Sequence, residues 1–240
     1  MKKRNAFTLA EVLITLGIIG IVAAMTMPTL IEKYQKKVTI ERLKQTYSEL
    51  SQVLSMAQAE KGDSKYWNNY SGHVFDQNTY EHGAADMVES QILPYLNGAK
   101  SYGWTDMSSC GYKNGWLNFN GTTKRSPDVK SYIVKLPNQV LLSFIINSYC
   151  RDGIKEDCEL ILSELVVYVD VNAQQKPNIF GKDIFQFYYD LNKGKVAAYY
   201  SYLTREDLLK SWCAKDKSDN AGCAALIMKD GWEIKDDYPW

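Results

Sequence analysis

The sequence predicts an α+β fold in which a long N-terminal helix packs on the antiparallel β-sheet of a globular head. Residues 7–31 form an apolar run that a single charge, Glu11, interrupts. Apolar residues then recur every three or four positions as far as Glu60, and Gly62 supplies a stop, as is typical of an amphipathic helix. Beyond Cys110, runs of β-branched and aromatic residues predict strands.

Composition divides the chain into four predicted parts. These are a basic leader (1–6), a membrane-spanning helix (7–31), its amphipathic continuation (32–62) and a globular α+β head (63–240). The predicted strands of the head are Tyr132–Val134, Val140–Ile146, Leu165–Val171, Ile184–Tyr189 and Val196–Tyr200. Turn residues at 137–138 and 192–194 predict hairpins, so neighbouring strands are expected to run antiparallel.

The C-terminal part predicts two short helices. Thr204 is a candidate N-cap with Asp207 three residues later, and a second helix is expected near Ala224–Met228, before Gly231. The final residues 238–240 are aromatic and are expected to dock on the head.

Net charge and motifs exclude several classes of function. The 28 basic and 28 acidic residues cancel, so no nucleic-acid partner is expected. The chain has no GxSxG, HExxH or phosphate-loop motif and only two histidines, so it is not predicted to be an enzyme.

The apolar run is long enough to span a membrane. Twenty-five residues give roughly 37 Å of helix, against a hydrocarbon core of about 30 Å. The basic residues before it keep positions 1–6 cytoplasmic by the positive-inside tendency. A secretory signal peptide cleaved after Ala24 and a static anchor are the alternatives. Glu11 argues against both, because an acid at the centre of a membrane helix costs about 2.5–3.5 kcal/mol.

The residues from Ala6 to Ile14 resemble the cleavage and methylation segment of type IV prepilins and of type II secretion pseudopilins. The resemblance implies a cut between Ala6 and Phe7 and N-methylation of Phe7 by a prepilin peptidase. Ala6 stands where that family usually has glycine. Pro28 lies where pilins carry a helix-kinking proline.

The resemblance also implies how subunits assemble. Glu11 of an incoming subunit would pair with the Phe7 amine of a neighbour, although a pair within one subunit is the alternative. Gly20 and Ala24 form a small-xxx-small pair that allows helices to approach closely.

The function expected from this resemblance is that of a structural subunit of a type IV pilus or a type II secretion pseudopilus. The expected partners are the peptidase, other pilin or pseudopilin subunits and an inner-membrane assembly platform. The expected location is the inner membrane with a periplasmic head, then a filament. The alternative is a secreted or statically anchored extracytoplasmic binding domain with no filament role.

Five cysteines lie beyond residue 100, on the part of the chain that is expected outside the cytosol. Cys213 pairs naturally with Cys223, where many pilins close a loop, and Cys150 with Cys158. Cys110 is expected to be the free thiol, although a bond from Cys110 to Cys150 or Cys158 is the alternative.

One loop carries several oxygen ligands between two predicted strands. Asp170, Asn172 and Asp183 are candidate calcium ligands, and the loop loosely resembles the calcium loop of major pseudopilins. The alternative is a turn rich in Asp and Asn that satisfies its own backbone. No other cofactor is expected.

Overall fold

The computed structural model describes residues 8–67, 84–150 and 160–240, together with their side chains except those of 147–150 and 160–163. Contacts within the chain divide it into two units, Met1–Thr39 and Ile40–Trp240. The described part of the first unit is helical from Leu9 onward. The second unit contains the sheet and the helices packed on it.

The stem is one helix, α1, which runs from Leu9 to Lys61. It ends where Gly62 adopts a φ of +87°, a left-handed conformation that favours glycine. The helix continues through Pro28. Because proline has no N–H, the carbonyl of Ala24 lacks its usual helical donor.

The second half of α1 buries a stripe against the head. The buried residues recur at three- and four-residue spacing: Ile40, Leu43, Thr46, Leu50, Val53, Leu54 and Ala57. This is the spacing of one helix face. Earlier on the same helix, Ile31 and Tyr34 are 54% and 68% exposed.

The head is built on a six-stranded antiparallel sheet with the order β1-β4-β5-β6-β7-β8. Its strands are β1 (Lys100–Asp106), β4 (Lys130–Lys135), β5 (Leu141–Cys150), β6 (Leu160–Asp170), β7 (Ile184–Asp190) and β8 (Lys195–Ala198). A separate two-stranded sheet consists of β2 (Trp116–Leu117) and β3 (Thr123–Arg125). The predicted α+β, pilin-like architecture is confirmed.

Short side-chain contacts form the two predicted hairpin turns. In the β4–β5 turn, Asn138 Oδ1 accepts a hydrogen bond from the backbone N–H of Val140 at 3.1 Å. In the β7–β8 turn, Asp190 Oδ1 accepts from the N–H of Lys193 at 3.1 Å, and Gly194 has a φ of +63°. Both are local interactions that the residue types favour.

Short helical segments surround the sheet. They comprise Ser64–Tyr66, Val88–Ile92, Leu93–Tyr95, Ser108–Cys110, Arg205–Asp207, Leu208–Trp212 and Cys223–Lys229. Thr204 caps the fifth of these as predicted, because its hydroxyl oxygen accepts the N–H of Asp207 at 3.1 Å. The last helix is followed by Gly231, at a φ of +76°.

The two faces of the sheet contact different cores. The larger core joins the α1 stripe to side chains such as Phe144 and Phe187. The smaller one, the minor core, includes Trp116 and Ile133 on the opposite side of the pleat. Beside it lies the buried guanidinium of Arg125, 4.9 Å from the Tyr168 ring and 5.9 Å from that of Trp116.

The C-terminal segment docks on the head, as expected. Tyr238 is buried, and its hydroxyl donates to the carbonyl of Gly181 at 2.6 Å. The guanidinium of Arg205 donates to both Asp230 and Asp237, at distances between 2.6 and 3.0 Å. Such two-pronged contacts fix geometry more firmly than a single surface ion pair does.

The α1 stripe provides a test of how the helix is held. Leu50 is 1% exposed, whereas Met56 on the same helix is 55% exposed. We expect Leu50→Ala to lower the free energy of unfolding by about 2–5 kcal/mol, because it removes packed methyl groups and leaves a cavity. Met56→Ala, the matched control, is expected to change it by no more than about 0.5 kcal/mol. Urea unfolding of the full chain in mild detergent measures both, and equal effects would contradict this packing.

Candidate assembly site

The first part of α1 exposes nearly all of its large apolar side chains. More than half of the surface of each of these is exposed: Leu9, Leu13, Ile14, Leu16, Ile18, Ile19, Ile21, Val22, Met25, Met27, Leu30 and Ile31. By length and composition, α1 is also the described helix that could span a membrane. Burying one such side chain is worth about 1.5–3 kcal/mol. This part of the stem therefore needs a bilayer or other apolar helices around it.

Thr8 and Glu11 form a reciprocal pair at the start of α1. The N–H and the hydroxyl of Thr8 each donate to Glu11 Oε2 at 2.8 Å. The N–H of Glu11 donates back to the Thr8 hydroxyl oxygen at 3.3 Å. This is a capping box, in which an N-cap threonine and the glutamate three residues later satisfy each other's backbone donors.

Sequence analysis missed the role of Thr8 in this site. The spacing Thr-x-x-Glu before an apolar run is the recognised pattern for a capping box, so the information was present. The resemblance to prepilins indicates only the other role of Glu11, as the partner of an amine. Ala6 and Phe7, between which cleavage is predicted, lie outside the described residues.

The predicted small-residue contact lies on an open part of the stem. A Cβ added to Gly17 or to Gly20 would meet no described atom within 4 Å. Gly20 and Ala24 therefore leave room for another backbone to approach. That they make such a contact stays a prediction, as does the assembly role of Pro28.

Threonine hydroxyls bond to the helix backbone around Pro28. Thr26 donates to the carbonyl of Val22, and Thr29 donates to that of Thr26, each at 2.9 Å. In an apolar environment these bonds satisfy hydroxyl groups that would otherwise be costly to bury.

Two of the five cysteines are joined in the head. Cys213 and Cys223 form a disulfide with their Cα atoms 4.8 Å apart. Cys110 is a buried free thiol, and burial raises its pKa. The predicted pairing of Cys150 with Cys158 lies outside the residues whose side chains are described.

The predicted calcium ligands lie together at the ends of β6 and β7. Asp170 accepts hydrogen bonds from the Tyr112 hydroxyl at 2.6 Å and from the N–H of Asn172 at 3.1 Å. Asp183 accepts from the N–H groups of Asn178 and Ile179, at 2.8 and 2.7 Å. The two carboxylates thus organise the connecting loop.

Burial changes the acidity of both carboxylates. Desolvation raises the pKa of Asp183 to about 6. The pKa of Asp170 is raised well above its ordinary value by desolvation and then by the charge of Asp183. The amide oxygen of Asn172 is buried without a described hydrogen-bond donor. Two acids and an amide oxygen are a donor set suited to a hard cation, and calcium binding here stays a prediction.

The raised pKa of Asp183 predicts an unusual pH dependence of stability. An acid with a folded-state pKa above its unfolded value stabilises the fold at low pH and loses that contribution as the pH rises through the folded pKa. Between about pH 4 and pH 6, Asp183 should therefore make the head less stable as the pH rises, by roughly 2 kcal/mol. Thermal melting of the wild type and of Asp183→Asn across this pH range isolates the contribution of Asp183 to stability. If the melting temperature of Asp183→Asn changed with pH as steeply as that of the wild type, this prediction would be wrong.

The same melting experiment tests calcium. If the cation binds, added Ca²⁺ should raise the melting temperature relative to a chelator, and Asp170→Ala or Asp183→Ala should abolish the difference. Identical melting of the wild type in calcium and in chelator would end the calcium prediction.

Two families match the chain. The prokaryotic N-terminal methylation motif matches residues 1–27. A family of unknown function (DUF6613) matches residues 29–117, which cover part of the stem and the beginning of the head. No curated protein and no solved structure matches the chain. The methylation motif coincides with the exposed apolar stem and its glutamate, so the predicted resemblance of this segment is confirmed: the chain carries a prepilin-type N-terminal methylation segment.

Proposed function

We propose that this protein is the structural subunit of a filament, either a type IV pilus or a type II secretion pseudopilus. The precursor is held in the inner membrane by its stem, with the head in the periplasm. A prepilin peptidase removes residues 1–6 and methylates Phe7. The assembly platform then moves the subunit from the bilayer into a growing filament.

The observation that carries this proposal is a methylation motif on a stem whose large apolar side chains are exposed. The motif spans residues 1–27, and large apolar side chains stay exposed from Leu9 to Ile31. A filament core made of neighbouring stems would cover this surface as well as lipid does, so a subunit can leave the bilayer without exposing it to water.

Glu11 supplies the directional part of the proposed assembly. Cleavage creates a positive amine at Phe7, four residues from the Glu11 carboxylate. In a low-dielectric core each charge is costly unless it is paired. Pairing the Glu11 of an incoming subunit with the amine of a neighbour fixes how far one stem slides along the other.

A structural role without catalysis is what the motif favours, and the neutral overall charge supports no nucleic-acid role. The rival is a secreted or statically anchored binding domain. It differs from the filament subunit in where the mature chain begins.

Mass spectrometry of the mature N-terminus separates these functions. We expect a chain that begins at Phe7 with one N-methyl group, because the resemblance to prepilins implies a cut between Ala6 and Phe7. A chain that begins at Met25 would indicate a signal peptide, and an intact Met1 would indicate a static anchor. Either would overturn the filament proposal.

Replacing Glu11 tests the proposed charge pair. We expect Glu11→Leu to insert into the membrane normally but to lower filament incorporation by at least about 100-fold, because an unpaired buried amine costs about 3–5 kcal/mol. Sedimentation of filaments sheared from cells measures incorporation, and membrane fractionation measures insertion. Glu32→Gln is the matched control, since Glu32 pairs with Lys36 outside the apolar run at 2.6 Å. Normal filaments from Glu11→Leu would remove the pairing hypothesis.

A further inference from the structure

A basic patch directly follows the exposed apolar run of the stem. It consists of Lys33, Lys36 and Lys37, which share one side of α1 because residues three and four apart are neighbours on a helix. Lys33 and Lys37 are exposed. Lys36 forms an ion pair with Glu32, in which Nζ lies 2.6 Å from Oε1. In the described part of the chain, neither Lys33 nor Lys37 forms an ion pair.

The two unpaired lysines are placed unfavourably in the absence of an anion. Lys33 and Lys37 are four residues apart, and like charges at this spacing destabilise a helix. An anion between the two ammonium groups would replace this repulsion by attraction. In the proposed topology they also follow the membrane span on its periplasmic side, where the positive-inside tendency disfavours lysine. Both features indicate that the patch has an anionic partner.

The depth of the basic patch matches the headgroup layer of a bilayer. A bilayer is about 40–45 Å thick with its headgroups and about 30 Å without them, which leaves roughly 5–7 Å on each side. At about 1.5 Å a residue, Lys33 lies roughly 3 Å beyond Ile31 and Lys37 roughly 9 Å beyond it. Lysine side chains are long enough to reach back across the difference. Tyr34 lies at the same depth and is 68% exposed, as is typical of tyrosine at a membrane surface.

We infer that the basic patch binds the phosphate groups of anionic phospholipids on the periplasmic face of the inner membrane. The inference rests on the proposed function, because it needs the stem to span the membrane with the head outside. In that function the peptidase removes residues 1–6, which carry the basic residues on the cytoplasmic side. The basic patch then holds the mature stem to charged headgroups until the subunit is assembled.

Two double variants separate the patch from the overall charge of the chain. Lys33→Gln/Lys37→Gln removes the two unpaired lysines. Lys44→Gln/Lys210→Gln is the matched control, because it removes the same charge from two exposed positions outside the patch. Lys44 follows Lys37 by seven residues, which is roughly 10 Å along α1 and exceeds the Debye length at physiological salt.

The measurement is the distribution of the full-length chain between two kinds of vesicle, which are mixed in dilute detergent to allow exchange and then separated by density. One kind is phosphatidylcholine, and the other is roughly three parts phosphatidylcholine to one part phosphatidylglycerol, an anionic lipid. We expect the patch variant to lower the anionic-to-neutral ratio about 30-fold, equivalent to about 2 kcal/mol, because each lysine at an anionic surface contributes about half of that. The control should keep the wild-type ratio. NaCl at about 1 M, which shortens the Debye length to about 3 Å, should abolish the difference.

The other outcomes overturn the inference in distinguishable ways. An unchanged ratio in the patch variant, or an equal loss in the control, would show that the patch is not the lipid contact. An unchanged ratio together with fewer filaments would identify another subunit as its partner. If inorganic phosphate abolished the wild-type preference and chloride at the same ionic strength did not, the ligand would be free phosphate. A wild type that enters neither kind of vesicle would overturn the membrane placement, and the proposed function with it.

Discussion

The rest of the stem depends on how one carboxylate is satisfied at the end of an apolar helix. Glu11 lies in a run whose other side chains favour lipid, so its charge must find donors inside that environment. Thr8 meets part of the requirement from within the same turn. The remainder calls for a cation, and a prepilin-type cut at Phe7 would create one at the nearest place in the sequence.

The environment of the stem and the packing of the head follow from two patterns along one helix. Up to Ile31, apolar residues lie on every side of α1, as suits a helix surrounded by lipid or other stems. From Ile40 they narrow to a stripe that the sheet covers. Between these parts, Lys33 and Lys37 are exposed. The two parts of α1 are therefore suited to two different environments.

Sequence predicted the elements that local interactions specify. The long helix, the five strands from β4 to β8 and the Thr204 cap depend on nearby residues, and all of them occur in the structure. The three earlier strands escaped prediction because their patterns are weak. A bulge lies between Ser101 and Gly103 in β1, and β2 and β3 have only two and three residues.

Contacts between residues that lie far apart in the sequence could not be predicted from it. Nothing in the spacing of Arg125 and Tyr168 indicates that the guanidinium lies over the ring. The same is true of Tyr238, whose hydroxyl reaches Gly181. Thr8 is a different case, because Thr-x-x-Glu is a local pattern that the sequence itself displays.

The stem and the head are stabilised by different interactions. The head is held together by its own contacts: a disulfide joins Cys213 to Cys223, Arg205 binds two carboxylates, and Asp183 accepts hydrogen bonds from its own loop. The apolar side chains of the stem up to Ile31 are exposed, and this surface is stable only in contact with lipid or with other helices. In the filament proposed above, changes in the head would therefore act mainly on folding, and changes between Thr8 and Ile31 mainly on association. This separation would let a subunit fold once and then exchange one apolar environment for another without unfolding its head.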